Sequence, residues 1–124
     1  MNIIISNSSP DPIYEQISKQ LRQLILTGDL KGGDQLPSIR SLAKELQISV
    51  ITTKRAYEEL EKEGYIETVA GKGTYISRKN NELLREQRLR LLESKVEEVV
   101  NESKLLQLSL EELQEMIMLL YKEE

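Results

Sequence analysis

Apolar residues recur along this chain with more than one period, and the changes of period mark its parts. Ile13, Ile17, Leu21 and Leu24 follow at spacings of four, four and three, which makes one face of a helix. Asp11-Pro12 opens it, since Asp11 can cap and Pro12 suits the first helical position, where no N–H is needed. Gly28 suits a left-handed stop. Leu30 to Gln35, with Gly32-Gly33, reads as a loop. Pro37-Ser38 then starts a second helix, lined inside by Ile39, Leu42, Ala43 and Leu46. Only Gln47 and Ile48 precede the next cap, Ser49. The third helix is expected from Val50 to about Glu63, with Ala56, Tyr57 and Leu60 inward. Gly64 ends it, and Tyr65 is expected to fold back onto Leu60.

Beyond Gly64 the pattern turns extended. Tyr65 to Val69 and Thr74 to Ser77 are short and β-favouring, and Ala70-Gly71-Lys72-Gly73 joins them as a hairpin tip. Three helices followed by a hairpin is the winged helix-turn-helix order. Upstream, Ile3 to Ile5 reads as a short apolar strand followed by a polar linker. Downstream of Asn80, Pro and Gly vanish. Leu84, Leu91, Leu92, Val96 and Val99 form a helical stripe with Leu89 and Val100 at its edge. Ser109 with Glu112 is a capping box, opening a last helix with Leu110, Leu113, Ile117 and Leu120 or Tyr121 on one face. The fold class expected is α+β and mostly α. A winged helix-turn-helix domain occupies residues 1–78, with 1–10 as an N-terminal extension, and two dimerisation helices occupy 79–124.

Those two helices are too short to bury a core alone. Pairing with a second copy, as an isologous four-helix arrangement, buries both stripes, so Leu84, Leu91, Leu92, Val96, Val99, Leu110, Leu113, Ile117 and Leu120 are the expected homodimer interface. Two such helices do not enclose a ligand pocket within one chain, and an effector is left unspecified.

Composition narrows the chemistry. With 124 residues, no Cys and no His, the chain has no disulfide, no Cys nucleophile, no His base and no Cys/His zinc site. Its carboxylates lie on periodic helix faces among Lys and Arg, as solvated faces do. No enzyme, metal or cofactor is expected. No apolar run is long enough to span a membrane, and no charged-then-apolar leader opens the chain, so a cytoplasmic protein is expected. The absence of Trp and Phe argues against stacking on single-stranded bases. The net charge of −4 conceals an asymmetry: residues 1–79 hold 11 basic and 10 acidic side chains, residues 80–124 hold 6 and 11. The acidic excess is in the tail, and the front of the chain is free to present a basic face to a phosphate backbone.

A recognition helix sets its first turn against base edges in the major groove. Here that turn carries Ser49, Val50, Ile51 and Thr52, with Arg55 one turn later. Ser49 and Thr52 can donate to phosphates or bases. Val50 and Ile51 either meet thymine methyl groups or close a gap against the second helix. Ser38, Arg40 and Lys44 sit on the second helix. A lone cation such as Arg40 near a helix start gains nothing from the dipole, so it awaits a phosphate or base, or pairs with Glu15 or Asp34. Lys54 and Arg55 are further candidates, unless they balance Glu58, Glu59 or Glu61. At the hairpin tip, Gly71, Lys72 and Gly73 suit a backbone approach to DNA with one charge for a minor groove or phosphate.

The blocks Pro12 to Ile17, Leu36 to Ala43, Arg55 to Gly64 and Gly71 to Tyr75 together resemble the DNA-binding domain of the GntR family. The short two-helix tail resembles the YtrA subfamily. The resemblance implies a homodimeric bacterial transcription regulator, usually a repressor, on a two-fold symmetric operator, often controlling ABC transport genes. It implies DNA contacts from Arg40, Ser49, Thr52, Lys54 and Gly71. Val50 departs from the family, which often has arginine there, and this removes a guanine-reading group. The alternative from another class is a helical module that no longer binds DNA and acts as an antagonist through mixed dimers. The net charge and Val50 favour it; the retained Arg40, Lys54 and Lys72 oppose it.

Overall fold

The structure is a computed structural model that describes residues 1–79 and 81–123. In order it contains α1 (Ile13–Thr27), α2 (Ile39–Leu46), α3 (Val50–Lys62), β1 (Ile66–Val69), β2 (Gly73–Ile76), α4 (Asn81–Leu105) and α5 (Leu110–Lys122). The chain forms two compact units, Met1–Arg85 and Glu86–Glu124.

In the first unit the apolar face of α1 is buried through Ile17, Leu21 and Ile25. Those residues meet Leu42 of α2, Ala56, Tyr57 and Leu60 of α3, and Ile66 and Ile76 of the hairpin in one core. Removal of these side chains from water supplies most of the stabilisation of such a small unit. Glycine stops α1, since Gly28 takes the left-handed conformation at φ 87° and donates its N–H to the Ile25 carbonyl. At the other end Pro12 is the capping residue and no side chain caps the helix. The Asp11 carboxylate, the expected cap, instead accepts from Lys19 Nζ at 2.8 Å.

The N-terminal extension is not a strand. Ile3 inserts into the core, and two glutamines one turn apart on α1 hold the backbone around it. Gln20 Oε1 accepts from the Ile4 N–H at 2.9 Å and its Nε2 donates to the Ile4 carbonyl at 2.7 Å. Gln16 repeats this pairing on Ser6 and also donates to the Asp11 carbonyl. The side-chain amides thus supply the partners that a neighbouring strand would have supplied.

The turn between α2 and α3 follows from capping. Gln47 adopts φ 58°, and both its N–H and that of Ile48 return to carbonyls in the last turn of α2. Ser49 immediately caps α3 by accepting the Thr52 N–H at 3.1 Å. Ser38 caps α2 in the same way on Ser41. The buried Tyr57 fixes α3 against the start of α2 by donating its hydroxyl to the Pro37 carbonyl at 2.7 Å, and burial pushes that phenol's pKa up.

β1 and β2 pair antiparallel with Ile66 opposite Ile76 and Val69 opposite Gly73. The loop before α2 contributes a bridge of its own, Gln35 to Tyr75, which adds one antiparallel pairing to β2 beyond those with β1. Across that loop lies Arg78, whose side chain leaves no room for a Cβ at Gly33, where φ is 91°.

The first unit runs through Arg85, so the first turn of α4 lies within it. Leu84 is buried in that unit's core. It is therefore not part of the exposed stripe that the periodicity suggested: helical periodicity marks a residue as apolar but not which neighbour it meets. In the second unit the capping box forms, with Ser109 Oγ accepting from the Glu112 N–H and Glu112 Oε1 accepting from the Ser109 N–H. Leu113 is already buried by its own chain at 7% exposure, so it too is removed from the exposed stripe. Leu91, Leu92, Val96, Val99, Leu110, Ile117 and Leu120 are all exposed.

Candidate nucleic-acid interface

The first turn of α3 projects outward. Ile51 is 80% exposed and Val50 is 43% exposed, so Ile51 does not close a gap against α2. An isoleucine held in water at that degree of exposure is available to an apolar partner such as a thymine methyl group. Beside it, Ser49 donates its hydroxyl to Thr52 Oγ1 at 2.7 Å. With that proton committed, the Thr52 hydroxyl proton is the free donor of the pair.

Five of the expected site cations lie on α2, α3 and the wing tip, and three of them make neither an ion pair nor a ring contact among the described residues. Arg40 and Lys44 on α2 and Lys72 on the wing are exposed and make no ion pair among the described residues. Neither acidic residue considered for Arg40 takes it; the Asp34 carboxylate accepts the Lys31 N–H instead. Lys54 lies 3.8 Å from Glu58 with both side chains more than half exposed, a contact of little energetic weight. Arg55 lies over the Tyr14 ring of α1, its Cζ 3.8 Å from the centroid. Sequence periodicity cannot reveal that pairing, since the two residues are far apart in the chain.

The wing tip is a three-residue loop, Ala70-Gly71-Lys72. It is closed by a Lys72 N–H to Val69 carbonyl bond of 2.9 Å. Gly71 takes φ 74° with open space around it. Gly73 takes φ 121°, a conformation that L side chains rarely adopt, and a Cβ there would only have to displace the movable end of Gln35, whose Nε2 would lie at 2.8 Å. The Lys72 carbonyl accepts from Gln35 Nε2 at 3.3 Å and from the Tyr75 hydroxyl at 3.1 Å. Gln35 and Tyr75 were not among the expected site residues; they brace the tip from which Lys72 projects. Glu61 Oε1 ties α3 to the wing by accepting the Thr68 N–H at 3.3 Å. Ser38 remains exposed at the start of α2.

No group of metal-binding side chains occurs among the described residues, and no helix among them is long and apolar enough to cross a membrane.

The profile of the bacterial regulatory proteins of the gntR family matches residues 13–76, which is α1 through β2. The chain belongs to the GntR family. Its similarity extends past that domain to the YtrA type. The HTH-type transcriptional repressor YtrA of Bacillus subtilis is 40% identical over 115 residues, covering 93% of this chain and 88% of that protein. Among solved GntR-like structures, YtrA from Sulfolobus acidocaldarius is 40% identical, with a TM-score of 0.59 over 73% of this chain and 96% of that one. A structure titled as a transcriptional antiterminator from Listeria monocytogenes is 30% identical, with a TM-score of 0.64 over 98% of this chain and 91% of that one. The fold is therefore that of a GntR winged helix-turn-helix, and the chain is a DNA-binding transcription regulator rather than an enzyme.

Proposed function

We propose that the chain acts as a cytoplasmic homodimer that binds a two-fold symmetric operator and represses transcription, with α3 in the major groove and the wing on the neighbouring backbone. The observation that carries this reading is the set of exposed cations Arg40, Lys44 and Lys72 on α2 and the wing, none with an ion pair among the described residues. Cations without a protein partner release counterions on meeting phosphates, and this is the main source of DNA affinity. Thr52 donates to a phosphate or base, Ser49 orients it, Lys54 adds charge, and Ile51 with Val50 reads methyl groups. Ser38 lies where its exposed oxygen meets backbone, and Gly71 and Gly73 let the tip approach.

The dimer reading rests on the second unit. Leu91, Leu92, Val96, Val99, Leu110, Ile117 and Leu120 are exposed apolar residues on two adjoining helices, a face that gains by being covered. A second copy covers them on both partners at once. Control of an operon for an ABC transport system follows from the YtrA-type resemblance, with no cofactor involved.

A binding titration tests the DNA interface. Fluorescence anisotropy with a labelled duplex is expected to show two chains per site. The logarithm of the binding constant should fall linearly with the logarithm of salt, by about 0.9 for each phosphate neutralised. A flat salt response would contradict an interface built on these cations.

A further inference from the structure

Arg55 differs from the other cations of this face in being seated on another side chain. Its Cζ lies 3.8 Å from the centroid of the Tyr14 ring. At that separation the planar guanidinium stacks on the ring face, and a stacked guanidinium keeps its N–H donors along its open edge. Arg55 is exposed, so that edge is in water, whereas Tyr14 is half-buried and packs on the core. The ring is held by the fold and the charge is held by the ring.

The location matters as much as the contact. Arg55 lies one turn after Ile51 and so continues the outward face of α3. On one flank of that face Glu61 bonds to Thr68 of the wing; on the other Arg55 leans onto the start of α1. A helix lying in a major groove has a sugar–phosphate backbone along each side. The wing with Lys72 serves one side, which leaves the α1 side to Arg55.

We propose that Tyr14 is a positioning residue for DNA: it stacks under Arg55 and presents the guanidinium edge-on to a backbone phosphate on the flank of α3 away from the wing. This rests on the reading of the chain as a DNA-binding regulator. Phosphate is the fitting acceptor because the fork of N–H donors matches two of its oxygens. Holding the fork in place before binding removes part of the ordering cost. The stack is not required to dock α1 on α3, because Ile17 and Leu21 of α1 share the buried core with Ala56 and Leu60 of α3, and Arg22 adds two bonds to the Glu63 carboxylate at the end of α3, at 2.8 and 3.2 Å.

A double-mutant cycle on the full-length chain tests this, with two labelled duplexes of equal length. One carries the sequence most enriched from genomic DNA, the other a scrambled sequence. Arg55→Ala is expected to weaken binding about tenfold on both duplexes alike and to reduce the salt slope by about 0.9. Tyr14→Leu should cost about three- to fivefold, and this loss should vanish in the Arg55→Ala background. Tyr14→Phe keeps the ring and should bind as the unaltered chain does. Arg55→Lys keeps the charge without the flat fork and should still lose about threefold, which reads the same claim if Tyr14→Leu fails to fold. An undiminished Tyr14→Leu loss in the Arg55→Ala background, or full binding by Arg55→Ala or Arg55→Lys, would overturn the proposal. If the unaltered chain bound neither duplex, the regulator reading itself would fail and this inference with it.

Discussion

Replacing Val96 by aspartate is expected to give a monomer at micromolar concentration and to weaken operator binding by at least about a hundredfold. Val96 is 49% exposed in the single chain, so the substitution costs the isolated fold little. In a two-fold symmetric interface each substitution is present in both partners, and two unpaired carboxylates are taken out of water at the centre of an apolar seam. Burial of an uncompensated charge costs several kcal/mol, here about 3 or more. The loss of DNA affinity then arises without any change at the DNA face. A tethered second half-site adds about two orders of magnitude or more to binding, and a monomer forfeits that gain. Leu91→Asp should behave in the same way. Light scattering reads the mass and anisotropy reads the affinity. A Val96→Asp protein that stays dimeric would move the interface off this face of α4.

Arg40→Ala is expected to lower operator affinity by about 1–3 kcal/mol, roughly five- to 150-fold, with no loss of fold stability. Arg40 is the second residue of α2, exposed and without an ion pair among the described residues. Its truncation therefore removes no contact that holds the domain together, and the melting temperature should stay within experimental error of the unaltered chain. In the complex the position is different, because an arginine on base or phosphate oxygens makes charge-assisted bonds that alanine cannot replace. Affinity comes from an operator titration and stability from a thermal melt on the same preparations. Unchanged affinity would remove Arg40 from the interface; a large fall in melting temperature would show that it serves the fold instead.

Local chemistry was legible where one residue decides one backbone group. Ser38, Ser49 and Ser109 cap the helices that their positions forecast, Gly28 and Gly64 take the left-handed conformations that end α1 and α3, and the wing forms around its glycines. Long-range choices were not legible. Ile3 to Ile5 has the composition of a strand, but the amides of Gln16 and Gln20 satisfy its backbone, a pairing across more than a dozen residues for Gln20 that no local pattern encodes. Leu84 and Leu113 share the apolar stripe of the tail, yet each is buried within its own chain. At the candidate site, Ile51 is exposed and Arg40 makes no ion pair among the described residues, two facts that depend on the packing of α2 against α3 rather than on local pattern. The stack of Arg55 on Tyr14 and the bracing of Lys72 by Gln35 and Tyr75 join segments that only the folded chain brings together.

Selection of sheared genomic DNA by the purified protein, followed by sequencing of the bound fragments, tests the central claim most directly. A sequence-specific dimeric regulator is expected to enrich a few fragments upstream of operons. They should share an inverted repeat whose half-sites lie about 34 Å apart, one turn of the duplex, or a multiple of it. A folded dimer that enriches no sequence at low salt would contradict a sequence-reading regulator and favour a helical module that acts through mixed dimers.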